Sequence, residues 1–227
     1  MIINNTYKFI FIHIPKNAGT SISIFFSQFT NWCDIEIGAT KYGQMLQKVF
    51  NERFGLRKHA TAQEIIKVIG VEKFNSYFKF AFVRNPYRRL YSIYNFLKKW
   101  KNIPQEWKEY MDNFNSFEEF VIAEAFAKEK GPDTIFLPQY KWVTINSKIA
   151  VDFIGKVENI EEDIKKILRN LNLKSSENLP IVNISVNQVN PSDFENPKVV
   201  DKIYYFYKGD FELFDYPKDV EYIFYKK

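Results

Sequence analysis

Phe9, Ile10, Phe11, Ile12 and Ile14, with His13 among them, form a continuous run of β-branched and aromatic residues that predicts a buried strand. A turn-rich stretch of small residues follows, Pro15-Lys16-Asn17-Ala18-Gly19-Thr20-Ser21. Ile22, Ile24, Phe25, Phe26 and Phe29 then make the buried part of a helix. The same order recurs further on. Residues 78–83 (Phe-Lys-Phe-Ala-Phe-Val) predict a second strand, Arg84 and Asn85 follow, and Pro86 opens a helix that carries Leu90, Ile93, Tyr94 and Leu97 to about Lys101. Two strand–loop–helix units predict an α/β chain with a central parallel sheet and helices on its faces.

The remaining pattern fills in this frame. A helix is expected over 42–54, with Leu46, Val49 and Phe50 on one face. Thr61 and Glu64 have the spacing of a capping box, before a helix through Ile65, Ile66, Val68 and Ile69 that stops at Gly70. Residues 102–135 read as a helical excursion, 149–154 as a third strand and 160–171 as a helix with Glu162 and Asp163 near its start. Residues 172–200, polar and rich in Asn, Ser and Pro, read as a long loop near the active site. A last helix is expected over 199–214. The expectation is one domain over 1–227.

Composition narrows the function. Hydrophobic residues at 46% and charged residues at 26% are those of an ordinary globular chain, and the 23 Phe and 14 Tyr are mostly core. The net charge of +5 suits an anionic ligand. No block of five like charges occurs, so nucleic acid is not the expected partner. Cys33 is the single cysteine, and His13 and His59 are the only histidines. That leaves no intramolecular disulfide, and no bound metal is expected. No cationic leader precedes a long apolar stretch and no segment is long enough to span a bilayer, so the expectation is a cytoplasmic chain, or a soluble fragment of something longer.

The loop after the first strand has the parts of an anion cradle. Free N–H groups and a partial positive charge mark a helix start; Ala18 and Gly19 allow close backbone approach, Thr20 and Ser21 bring hydroxyls, and Lys16 brings a charge. A tight turn with incidental Lys and Thr is the plain alternative. The loop lacks the Gly-Lys-Ser/Thr of a Walker A sequence, and Arg84, not an acid, ends the second strand. At that second strand end, Arg84 and Ser92 are placed to grip one phosphate, since the guanidinium fork meets phosphate oxygens in pairs. Arg88 and Arg89 read equally as phosphate-binding groups and as solvated or ion-pairing ones. Two anion sites on neighbouring strand ends suit a nucleotide with two separated anionic groups.

These segments resemble known ones. His13 to Ser21, as quoted, is similar to the 5'-phosphosulfate loop of the membrane-type carbohydrate sulfotransferases, the heparan sulfate 2-O-sulfotransferase-like group (sulfotransferase family 2). Arg84-Asn85-Pro86-Tyr87-Arg88-Arg89-Leu90-Tyr91-Ser92-Ile93-Tyr94 resembles their 3'-phosphate motif. Leu137-Pro138-Gln139-Tyr140 and segments at 151–159 and 210–216 look alike more weakly. The resemblance implies a sulfotransferase fold related to P-loop nucleotide kinases. It implies transfer of a sulfonate group from 3'-phosphoadenosine-5'-phosphosulfate (PAPS) to a carbohydrate hydroxyl, without a metal. It implies donor contacts by Lys16, Asn17, Ala18, Gly19, Thr20 and Ser21, and 3'-phosphate contacts by Arg84 and Ser92. Many relatives have Thr where Asn17 stands, and Val186 follows Asn183-Ile184-Ser185 where relatives often have a basic residue.

In-line sulfonate transfer needs a base for the hydroxyl proton and a cation at the departing phosphate oxygen. Lys16 is assigned to the leaving group and His59 to the base, with Glu52 or Glu36 as the fallback. His13 reads as a buried support. Gln139 either touches an acceptor hydroxyl or fixes its loop; Glu158 and Asp163 read as helix-entry groups. The rival readings are a P-loop-type small-molecule kinase and a non-catalytic nucleotide- or glycan-binding module.

Overall fold

The computed structural model of the chain describes residues 1–127, 134–180, 182 and 189–225. The elements, in chain order, begin with β1 (Ile2–Asn4), β2 (Phe9–Ile12), α1 (Gly19–Ser27), β3 (Ile35–Glu36) and α2 (Lys41–Phe54). Next come α3 (Ala62–Ile69), α4 (Val71–Ser76), β4 (Phe78–Val83), α5 (Pro86–Lys99), α6 (Gln105–Asp112) and α7 (Phe117–Ile122). The last are α8 (Tyr140–Val143), β5 (Thr144–Ile145), β6 (Lys148–Ile149), β7 (Phe153–Lys156), α9 (Ile160–Asn170), α10 (Pro197–Phe206), α11 (Lys208–Leu213) and α12 (Tyr222–Tyr225). Two compact units result, Met1–Val83 with Gln139–Asn183 and Arg84–Pro138 with Ile184–Lys227.

The first unit holds the sheet, in the order β3-β1-β2-β4-β7. β2, β4 and β7 are parallel, with Ile12 opposite Ala81 and Phe82 opposite Gly155. The α/β architecture with a central sheet is therefore as expected. The sheet is mixed, however, because β1 runs antiparallel to both β2 and β3. Three residues are too few to show a period, and pattern alone misses β1. Period-two alternation turns Phe9, Phe11, Phe80 and Phe82 to one face. There they pack with Ile22, Phe25 and Phe26 of α1 and Ile164 and Ile167 of α9. Phe26 and Phe80 meet at 5.0 Å between ring centres. Full burial of such rings contributes about 2 kcal/mol each.

The strand expected over 149–154 divides. Asn146 and Ser147 both have positive φ, 49° and 62°, the conformation of a two-residue hairpin turn. That turn takes Lys148 and Ile149 into a hairpin with Thr144 and Ile145. The sheet strand starts only at Phe153, and Gly155 in it passes close to Phe82, whose ring would lie 2.5 Å from an added Cβ.

The second unit is helical and aromatic. Tyr91 packs on Phe117, Tyr94 on Phe120, and Tyr87 on Phe211, at 4.9–5.3 Å. The helix expected over 199–214 breaks at Tyr207, which is buried and donates its hydroxyl to the Phe136 carbonyl at 2.8 Å. Burial raises the Tyr207 pKa, which keeps that proton in place. In the expected long loop, residues 173–180 carry no regular structure; Asn183, Ser185 and Val186 lie outside the described residues. Among the described residues, no helix is long and apolar enough to cross a membrane.

Candidate active site

In the first unit β2 and β4 are adjacent and parallel, and the chain leaves both at the same sheet edge. The loop after β2 is the segment that the sequence suggested as an anion cradle. Lys16 and Ala18 both hold left-handed backbone, with φ of 67° and 57°. For residues with a Cβ that conformation costs roughly 1–2 kcal/mol each, and such strain concentrates at ligand loops. Ala18 is the N-cap of α1, and the first helical bond runs from Ile22 N to Ala18 O at 3.2 Å. The N–H groups of Gly19, Thr20 and Ser21 therefore have no partner within the helix. No acidic residue stands in that first turn, so its partial positive charge is not offset locally.

Asn17 is the strut of this loop. It is buried, and its amide nitrogen donates to the Phe82 carbonyl at 2.8 Å and to Gln139 Oε1 at 2.7 Å. Both amide protons are thereby committed, and Asn17 Oδ1 is buried without a hydrogen-bond partner. Gln139 itself is fully buried, with its carboxamide oxygen turned to Asn17. Ser21 is also engaged: its hydroxyl accepts from Val182 N at 3.2 Å and donates to Val182 O at 3.3 Å.

The two histidines meet beside this loop, with ring centres 4.6 Å apart in an edge-to-face arrangement. His59 Nδ1 lies 2.7 Å from the backbone carbonyl of His13. A carbonyl can only accept, so Nδ1 carries a proton, and in the neutral ring the lone pair lies at Nε2. The indole of buried Trp142 donates to the His59 carbonyl at 3.1 Å and holds its backbone. Directly after it, Thr61 and Glu64 form the expected capping box of α3.

His13 is buried, and its ring stacks on Phe11 at 5.8 Å. Burial, then the neighbouring His59, hold its pKa well below the ordinary imidazole value, so it is neutral. Its other edge faces the loop. A Cβ on Gly19 would lie 2.1 Å from His13 Cδ2 and 2.2 Å from Nε2. Gly19 is thus required by the His13 ring, a contact with no sequence signal.

The second unit carries the other motif. Asn85 caps α5, accepting from Tyr87 N at 3.0 Å and Arg88 N at 3.4 Å, with Pro86 in the first helical position. Arg84 is half-buried and Ser92 is buried. The two arginines left open by the sequence both donate to backbone carbonyls. Arg89 is buried and donates to the carbonyls of Leu137 and Ile135, both at 2.9 Å. Arg88 Nε donates to the Ile223 carbonyl at 3.1 Å. Of the fallback bases, Glu36 is buried and accepts from the Thr40 hydroxyl, while Glu52 sits on α2 near Lys48.

The model of the sulfotransferase family matches residues 1–217. The chain belongs to the sulfotransferase family. A protein of Archaeoglobus fulgidus without an assigned role is 36% identical over 106 residues, 46% of this chain and 76% of its own length. Carbohydrate sulfotransferase 10 of Danio rerio is 26% identical over 180 residues, 65% of this chain, and the match spans about half (49%) of that enzyme. No solved structure matches.

Proposed function

We propose that this chain transfers a sulfonate group from PAPS to a hydroxyl of a carbohydrate acceptor. Family membership supports sulfotransfer, and the likeness to a carbohydrate sulfotransferase of Danio rerio supports a carbohydrate. The observation that supports the catalytic part is the hydrogen bond from His59 Nδ1 to the His13 carbonyl, since the neutral ring then has its basic lone pair at Nε2.

When bound, the donor supplies the sulfonate and a phosphate leaving group. His59 Nε2 takes the acceptor hydroxyl proton as the new S–O bond forms and the old one breaks. Lys16 and the N–H groups of Gly19 and Thr20 meet the negative charge that gathers on the departing phosphate oxygen. Asn17 and Ala18 contribute backbone, and the Asn17 side chain holds the loop open. Ser21 anchors the loop to Val182 and adds its N–H. Arg84 and Ser92 take the 3'-phosphate, for which a guanidinium fork is suited. Gln139, whose amide oxygen accepts from Asn17, acts as a positioning residue for the loop.

Calorimetry with 3'-phosphoadenosine-5'-phosphate and with ATP, each with and without Mg²⁺, tests the donor. Binding of the first without metal, and at least tenfold weaker binding of ATP, is the expected result. Preference for ATP with Mg²⁺ would instead make the chain a kinase. His59→Ala should lower turnover by about 10²–10⁴-fold and leave the affinity for 3'-phosphoadenosine-5'-phosphate within about twofold. Retained turnover would remove His59 from the mechanism, and donor binding with no turnover in the wild type would favour a binding module.

A further inference from the structure

α2 is a 14-residue helix with only Gly43 buried. Its apolar residues are not hidden: Met45 is 77% exposed, Tyr42 58%, Phe54 54% and Val49 42%. Tyr42, Met45 and Val49 are spaced i, i+3 and i+7, so they form one outward strip. At 100° per residue, Glu52, Lys41 and Lys48 border that strip on one side and Arg53 on the other, three cations to one carboxylate. The polar residues away from it, Gln44, Gln47 and Asn51, are uncharged.

Charge is concentrated here. Residues 41–58 hold five cations (Lys41, Lys48, Arg53, Arg57, Lys58) against one carboxylate, Glu52, a net +4 in a chain whose total is +5. Arg57 is answered by Glu64 at 2.9 Å, and Lys48 lies 3.8 Å from Glu52 in an exposed pair that water screens. We propose that the outer face of α2 docks this chain on an anionic lipid surface, with Tyr42, Met45 and Val49 entering the headgroup boundary and Lys41, Lys48 and Arg53 meeting lipid phosphates.

Such a surface offers apolar depth and negative charge together, which is what an exposed apolar strip bordered by cations can use. An acidic polysaccharide would match the cations but leave Met45 and Val49 in water. A second copy packed symmetrically on the strip would bring this border, Lys41, Lys48 and Arg53 against the single carboxylate of Glu52, up to itself, where the net positive charges repel. The strip therefore selects the bilayer. α2 leads through Arg57 and Lys58 to His59, so docking would hold the candidate base near acceptors displayed at that surface. The docking itself does not depend on the sulfotransfer reading.

Flotation with vesicles tests it, using phosphatidylglycerol–phosphatidylcholine mixtures and phosphatidylcholine alone, without donor or acceptor. The wild type should float with the anionic vesicles at low salt, stay behind with the neutral ones, and lose binding in high salt. Met45→Glu/Val49→Glu and, separately, Lys41→Glu/Lys48→Glu should each reduce binding at least tenfold. These positions are exposed, and unchanged circular dichroism would certify the fold. Three results would overturn the proposal: a wild type that ignores anionic vesicles, variants that float as well as it does, or a wild-type dimer by sedimentation that Met45→Glu/Val49→Glu turns into a monomer.

Discussion

At the scale of single residues, the candidate site depends on how two histidines divide their work. The His13 carbonyl sets the tautomer of His59, and the His13 ring sets the space allowed at position 19. Gly19→Ala should therefore fail for a reason unrelated to backbone freedom. Its Cβ would overlap an imidazole packed against Phe11, and overpacking of this kind costs about 1–3 kcal/mol. The expected outcome is lower thermal stability and weakened binding of 3'-phosphoadenosine-5'-phosphate by calorimetry. Adding His13→Ala to Gly19→Ala should restore part of that binding, because the backbone carbonyl of residue 13 remains. If the double variant binds no better than Gly19→Ala, the contact between the ring and Gly19 is not what limits the loop.

At the scale of elements, a few side-chain amides connect loops to strand and helix ends. Asn17 joins the loop after β2 to the end of β4 and to Gln139. Asn17→Ala would leave the Phe82 carbonyl and Gln139 Oε1 buried without that donor, at a cost of about 2 kcal/mol. Asn85 does simpler work as the cap of α5, so Asn85→Ala should cost about 1 kcal/mol. In a chain of this size 1 kcal/mol shifts the melting temperature by about 2–4 °C, and differential scanning calorimetry reads both. The order of the two effects is the test: a larger drop for Asn85→Ala than for Asn17→Ala would contradict the strut. The same scale explains why patterns missed β1 and split the strand expected over 149–154. Local hydrophobic order does not report a three-residue strand or a hairpin turn made by Asn146 and Ser147.

For the whole molecule, acid is the expected weakness. Burial and His59 hold His13 neutral in the folded state, with its pKa well below 6.5. The unfolded chain, in which it titrates normally, binds more protons below that pH. Stability should therefore be independent of this group above about pH 6.5 and fall on acidification, by up to about 1.4 kcal/mol per pH unit. His13→Leu removes the titrating ring and keeps the carbonyl that His59 uses. The difference in melting temperature between wild type and His13→Leu should move steadily against the wild type from pH 6.5 to pH 5. A constant difference would mean that His13 does not stay neutral.

Much of this could be read along the chain. The β-branched and aromatic runs at 9–14 and 78–83, each followed by a loop and a helix, determine an α/β chain, because burial of one sheet face demands them. The small residues at 18–21, Lys16 and Arg84 mark the turns proposed to bind the donor's anionic groups, since helix starts and guanidinium groups carry that chemistry locally. What the sequence could not decide depends on distance in space. Asn17 bonds to Gln139, 122 positions away, and Ser21 to Val182, 161 away. The roles of Arg88 and Arg89 as carbonyl-binding struts, the tautomer of His59 and the need for Gly19 beside His13 belong to the same class. Each follows from which buried polar groups happen to meet once the sheet has formed. Hydrogen bonds and steric contacts between remote residues leave no periodicity behind, and only the tertiary structure makes them visible.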